Sequence, residues 1–228
     1  MLCGVCQPQV WFNWPRVYAG KVEVLGVALK ETRPGYRHTG LVIFDREKKA
    51  YRFLHLADHY KFKNEQLSPD YFIYPNDTFS LGEIEYLAER AQKLWETNGP
   101  KIAYGLDYDG KNVFDDQMKF LGADGMGLTC ATFVLAFFAK CGFPLADTAS
   151  WLPRANDVFF QQAIFDYLKP RLDKDQLARA EKSVGKAPRF RPEEVTASFV
   201  NYDADPTSFV EAQLWGLAVL KEAKMSVV

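Results

Sequence analysis

Three histidines, four cysteines and no continuous run of about 18 apolar residues mark what this 228-residue sequence has little of. Without such a run, no membrane-spanning helix is expected. Residues 1–11 contain no basic segment leading into an apolar one, so no secretory leader is expected either. The expected location is the cytoplasm, or the outside by a route that reads no N-terminal signal. Charge of one sign is also missing. A formal net charge of −1, with no basic stretch interleaved with aromatics, supplies no field to draw nucleic acid or an acidic membrane surface. The cysteines, at 3, 6, 130 and 141, are too few and too unevenly spaced for a disulfide-stapled scaffold. Cys3 and Cys6 form a C-x-x-C, but no second pair completes a zinc site, and two thiols on a short terminal arm are the simpler reading. No glycine-rich phosphate loop opens a helix, and no Gly-x-Ser-x-Gly elbow occurs. The acidic group Asp107, Asp109, Asp115 and Asp116 lacks the glutamate-terminated calcium loop and reads as a solvated loop. No cofactor and no metal are expected.

What is present is the composition of an ordinary globular chain, 48% hydrophobic and 25% charged, long enough for one good-sized domain. Aromatics at 15% suggest a well-packed core or an apolar cleft. Residues 21–29, 39–44 and 51–56 are apolar and β-branched, and the charged stretch 45–49 between the last two predicts an antiparallel hairpin. Ser80 with Glu83 is a capping-box pattern that opens a helix, and Asn98-Gly99-Pro100 closes it. A short strand is expected over 102–106, then a loop rich in glycine and aspartate. A second helix starts near Thr129 and ends at Gly142, where a left-handed cap is wanted. Beyond Trp151, segments 156–168, 175–184 and 208–223 read as amphipathic helices, broken by Pro170, Pro188, Pro192 and Pro206. Val210, Leu214 and Leu217 are expected in the core. The order implies an α+β fold with an N-terminal arm (1–20), a core (21–145) and a helical C-terminal extension (146–228) packed on that core.

Cys130 falls in the first turn of the second predicted helix. There, unpaired backbone amides and the helix dipole favour a thiolate, and the same amides could hold an oxyanion. Cys130 also shares a helical face with Phe133, Val134 and Phe137, a pattern equally suited to a small core residue. All three histidines, at 38, 55 and 59, lie in or just after the predicted hairpin. With residues 45–48 as the loop, Phe44 opposes Lys49 and His38 opposes His55, so one imidazole could orient the other. A slip by one residue would separate them. His59 reads as a surface residue.

These segments carry a resemblance. Arg37-His38-Thr39-Gly40-Leu41-Val42-Ile43-Phe44 resembles the histidine-x-glycine-apolar strand of NlpC-type papain-like peptidases. Leu54-His55-Leu56-Ala57 resembles the end of the next strand, where that family carries its third polar catalytic residue. Thr129-Cys130-Ala131-Thr132-Phe133-Val134 is similar to the family's nucleophile-helix start, with Thr129 in place of aspartate and Ala131-Thr132 in place of serine-glycine. Ile102-Ala103-Tyr104-Gly105 is similar to the aromatic-plus-glycine element before that helix. Because His38 precedes Cys130, the order matches the circularly permuted branch, which includes lecithin:retinol acyltransferase-like proteins. The resemblance spans residues 21–145. It implies a papain-like antiparallel sheet packed on the nucleophile helix, with Cys130 as nucleophile, His38 as base and His55 orienting it. Tyr104, Thr129 and the Cys130 amide are the candidates for oxyanion or substrate contacts. The implied chemistry is cleavage of an amide through a thioester, in a peptide or peptidoglycan fragment. Acyl transfer or lipid esterase action on an acyl substrate by the same site, and a catalytically silent domain that binds a partner, stay open. A toxin delivered into another cell would reconcile cell-wall hydrolysis with the missing leader, with an immunity or regulatory protein as its partner.

Overall fold

Apolar residues alternating along the first third build a five-stranded antiparallel sheet, seen in a computed structural model that describes residues 25–45, 49–122 and 126–227. The strands are β1 (Leu25–Arg33), β2 (Tyr36–Asp45), β3 (Ala50–Leu56), β4 (Phe62–Gln66) and β5 (Phe72–Tyr74), in the spatial order β4-β3-β2-β1-β5. Side chains on a strand alternate between faces. Leu25, Val27, Leu41, Ile43, Leu54 and Leu56 point into the main core, while Ala28, Val42 and Phe53 form a smaller cluster on the other face with Tyr71 and Ile73.

The helices are α1 (Leu81–Asn98), α2 (Cys130–Lys140), α3 (Val158–Leu168), α4 (Lys174–Ser183), α5 (Pro192–Val200) and α6 (Phe209–Glu222). The α1 ends are as the sequence predicts: Ser80 caps the start through a capping box with Glu83, and Gly99 closes the end at φ +49°. Helix α2 is buried along Cys130 to Phe138, because it lies between the sheet and the C-terminal helices. A helix apolar on all sides is stable only when enclosed in this way.

Several expectations are corrected. The β2–β3 register places Phe44 opposite Tyr51 and Asp45 opposite Ala50, two residues from the predicted pairing. Because two is the pleat period, His38 and His55 keep a common face but sit diagonally rather than directly opposed. The expected strand at 102–106 is only a single parallel bridge between Tyr104 and Leu128. Strands β4 and β5 had no clear apolar alternation to announce them. The first strand extends to Arg33, and the part of its expected range before Leu25 lies outside the described residues, as do Cys3 and Cys6.

Pro192 does not break a helix but begins α5 at the first position, where its missing N–H costs nothing. That helix packs on β1, β2, α2 and α6. Val195 and Phe199 of α5 and Ala212 of α6 join the same core as the sheet. Val210, Leu214 and Leu217 are 73%, 59% and 50% exposed, so they are not core. The face of α6 that is buried carries Ala212, Gly216, Val219 and Leu220.

Candidate active site

Cys130 is held in place from two directions. Thr129 caps α2 reciprocally with Thr132, which fixes the first turn and puts Cys130 at its first position. Upstream, the chain runs alongside residues 103–105, with Leu128 donating to the Ala103 carbonyl and Gly105 donating to that of Leu128. Gly127 lies so close to Gly105 that a Cβ would collide with the opposing backbone, so only glycine allows this approach. His59 completes the support. It is buried, not on the surface as its sequence context suggests, and its Nδ1 accepts from the Tyr104 amide at 3.2 Å. Among the described residues, its other ring nitrogen is buried without a partner.

Cys130 is 5% exposed, and the backbone amides of Thr39 and Ala131 lie close enough to favour a charged sulfur. Thr39 directly follows His38, so the stretch of β2 that passes the sulfur also carries His38. The β2–β3 ladder has ended there, its last pair being Leu41 with Leu54. No hydrogen bond joins Cys130 to His38 among the described residues. His38 and His55 project from the face with Val42 and Phe53, whereas α2 packs on the opposite face.

The imidazoles themselves form a chain. His38 Nε2 and His55 Nδ1 are 2.6 Å apart, and His55 Nε2 is 3.0 Å from Glu65 Oε1 on β4. A carboxylate only accepts, so His55 donates from Nε2 and its Nδ1 becomes the acceptor for the Nε2–H of His38. The tautomer of His38 is thereby set, with Nδ1 left to receive a proton. Phe53 stacks on His55 at 4.3 Å, and Tyr71 flanks both Phe53 and His38. Gly40 makes room for this cluster, since a Cβ there would lie 2.6 Å from the Leu54 carbonyl oxygen and 2.7 Å from His55 Cβ.

Burial dominates the electrostatics. It pushes the Cys130 thiol up to about 11, against the pull of the Thr39 and Ala131 amides and the Arg189 charge. The lowered thiol value expected from the helix N-terminus is therefore overturned in this closed arrangement. Burial, and next the repulsion of His55, bring His38 down to about 3. His55 is also lowered by burial, with the Glu65 hydrogen bond opposing. For Glu65, burial would raise the value, but hydrogen bonds from His55 and Lys63 outweigh it and the net shift is downward. The resting site thus holds a neutral thiol, two neutral imidazoles and one carboxylate. The Tyr104 hydroxyl is raised by burial, and the Cys130 amide is directed at it.

A cover encloses the thiol. Phe160 and Gln161 of α3 and the segment carrying Pro188, Arg189 and Phe190 line a cavity of about 30 Å³ over Cys130, Thr129 and Tyr108. That is room for one or two waters. Gln161 clasps the cover shut, donating to the Ala187 carbonyl and accepting from the Gly185 amide, both at 2.8 Å. Glu65, Tyr71 and Arg189 were not singled out from sequence. Glu65 and Tyr71 carried no motif, and Arg189 is 59 residues beyond Cys130 in a segment of unremarkable composition. Among the described residues, no cluster of three histidine, cysteine, aspartate or glutamate side chains is arranged to hold a metal, and no helix is long and apolar enough to cross a membrane.

No protein-family model, curated protein or solved structure matches this chain.

Proposed function

We propose that this chain is a cysteine-dependent hydrolase of permuted papain-like type that cleaves an amide bond in a peptide or peptidoglycan-derived substrate. The observation that carries the reading is the Glu65–His55–His38 chain, which ends one residue before Thr39, whose amide lies near the Cys130 thiol. Cys130 Sγ attacks the carbonyl carbon while its proton passes to His38 Nδ1. That transfer requires the imidazole to swing from the Val42–Phe53 face, where it rests without a hydrogen bond to the thiol, toward the sulfur as substrate enters. The tetrahedral oxyanion is assigned to the Cys130 amide and the Tyr104 hydroxyl, which face each other at rest and must part to receive it, while Thr129 lines the cavity that Tyr104 does not reach. Collapse expels the amine, which takes the proton from His38 and leaves a thioester. Water then attacks the thioester, losing its proton to His38, and the carboxylic acid departs as the thiol is restored.

His55 orients His38 and Glu65 orients His55, the roles that a third group serves in other nucleophile–base sites. A neutral resting pair means that proton transfer accompanies attack and that opening of the cover precedes both. Acyl transfer is the second reading. It is favoured by a cavity with room for little water and with Leu106, Tyr108, Phe160 and Phe190 in its walls.

The test is the rate of Cys130 modification by iodoacetamide against pH, in the wild type and in His38→Ala, with Cys3 and Cys6 replaced by serine. His38→Ala is expected to lower the rate at pH 7 by about a hundredfold, leaving only the thiolate limb that rises toward high pH. Superimposable profiles would overturn the pair and leave a partner-binding domain. A screen of short peptide amides, with Cys130→Ala as control, then identifies the bond cleaved.

A further inference from the structure

The cover carries more positive charge than its own carboxylates neutralise. Asp157, buried at the start of α3, is shared by three guanidinium groups: Arg154 at 2.7 Å, Arg189 at 3.1 Å and Arg191 at 2.9 Å. Glu194 is the second carboxylate of the cluster and is engaged by Arg154. Glu193, also within electrostatic reach of Arg189, is taken by Arg37 at 2.9 Å. Arg189 is the member that lines the cavity over Cys130. Its guanidinium carbon sits over the Phe160 ring, 3.5 Å from the centroid, and its backbone carbonyl is fixed by Arg154 at 2.8 Å. Only Nη1 reaches Asp157. Among the described residues, Nε and Nη2 make no hydrogen bond, yet neither is sealed away as a buried unpartnered donor. A planar fork with two free donors, pre-oriented beside a nucleophile, matches a carboxylate in the two-pronged manner typical of arginine.

We propose that Arg189 is the specificity-determining residue of the Cys130 site and that the substrate carries a carboxylate close to the scissile carbonyl, as at a peptide's C-terminal residue or an N-acyl amino acid. This rests on the reading of Cys130 as the nucleophile. Once the cover has opened and settled over a substrate, the walls given by Leu106, Tyr108, Phe160 and Phe190 would contact its apolar part.

Two alkylating reagents that differ in charge test this without a known substrate. The rate constants of Cys130 with iodoacetate and with iodoacetamide are measured by mass spectrometry of the Cys130 peptide, and their ratio is compared with that for N-acetylcysteine. The expected ratio is about tenfold above the free thiol's, as for a hydrogen bond to a charged group. It should fall to the free-thiol value in Arg189→Gln and only part of the way in Arg189→Lys. A measurement on the wild type alone covers the case in which the variants fail to fold: N-acetylglycine should slow iodoacetamide more than N-acetylglycinamide or inorganic phosphate does. A wild-type ratio equal to the free thiol's, a ratio indifferent to Arg189→Gln, protection by phosphate but not by the carboxylate, or no reaction of Cys130 with either reagent would each overturn the assignment. A raised ratio combined with a pH profile indifferent to His38→Ala would keep the anion site and remove the Cys–His pair. The converse pattern would remove the anion site alone.

Discussion

Phe160→Ala should unmask Cys130. Phe160 forms one wall of the cavity over the thiol and is otherwise in contact with Arg189 and, at 5.8 Å, the ring of Tyr36. Burial moves the thiol from an ordinary 9.0 to about 11, so at any pH below 9 the enclosed sulfur has about a hundredfold less thiolate than an open one. Removing the phenyl ring admits water on the cavity side and lifts part of that desolvation, while Asp157 still holds Arg189. Modification of Cys130 by iodoacetamide at pH 7.5 should therefore accelerate, by up to about a hundredfold if desolvation is fully relieved. The sign is set by the thiol being an acid: a raised value suppresses the charged nucleophile throughout the range below it. Phe160 is only half-buried, and the stability loss in urea should stay near 1–2 kcal/mol. The assay is stopped-time alkylation followed by peptide mass analysis, with buried Cys141 as an internal reference. A change of less than twofold in a variant that remains folded would refute the idea that this cover silences the thiol.

Two further outcomes follow from the same geometry. Gly40→Ala drives a methyl group against the Leu54 carbonyl and His55, and should cost about 1–3 kcal/mol by urea unfolding while disrupting the His38–His55 contact; an unchanged midpoint would contradict the close packing. Glu65→Gln should weaken the His38-dependent alkylation of Cys130 at pH 7, because a neutral amide no longer compels His55 to donate from Nε2. In the wild type the Glu65 contribution is present above the ordinary glutamate range and is lost as pH falls through its lowered folded value, so the two proteins should converge in acid.

Local signals were strong where they had a local cause. The Ser80 and Thr129 caps, the Gly99 and Gly142 ends, and strands β2 and β3 are written in short stretches of chain, and the Thr129 cap places Cys130 at a helix start. The alternation of His38, Gly40 and Val42 with Leu41 and Ile43 sets which side chains share a face, so the His38–His55 pairing survived a register error of two residues. Strand β4 escaped because the short sequence Phe62-Lys63-Asn64-Glu65-Gln66 has no apolar period; it pairs because β3 offers an edge. The core role of α5 was hidden for the opposite reason. Pro192 marks a break in a linear reading but a first helical turn once its neighbours are in place.

The residue types available for chemistry, and the order in which they occur, were determined by the sequence alone: one cysteine at a helix N-terminus and two histidines on adjoining strands. Their state was decided by the tertiary structure. Burial, which sums contributions from α3, the 188–190 segment and β2, raises the thiol that an isolated helix terminus would lower. It also turns His59 from an apparent surface residue into a support for the Tyr104 backbone. Desolvation depends on what lies across the cavity rather than along the chain, and Arg189, far from Cys130 in sequence, becomes its neighbour only in the folded chain.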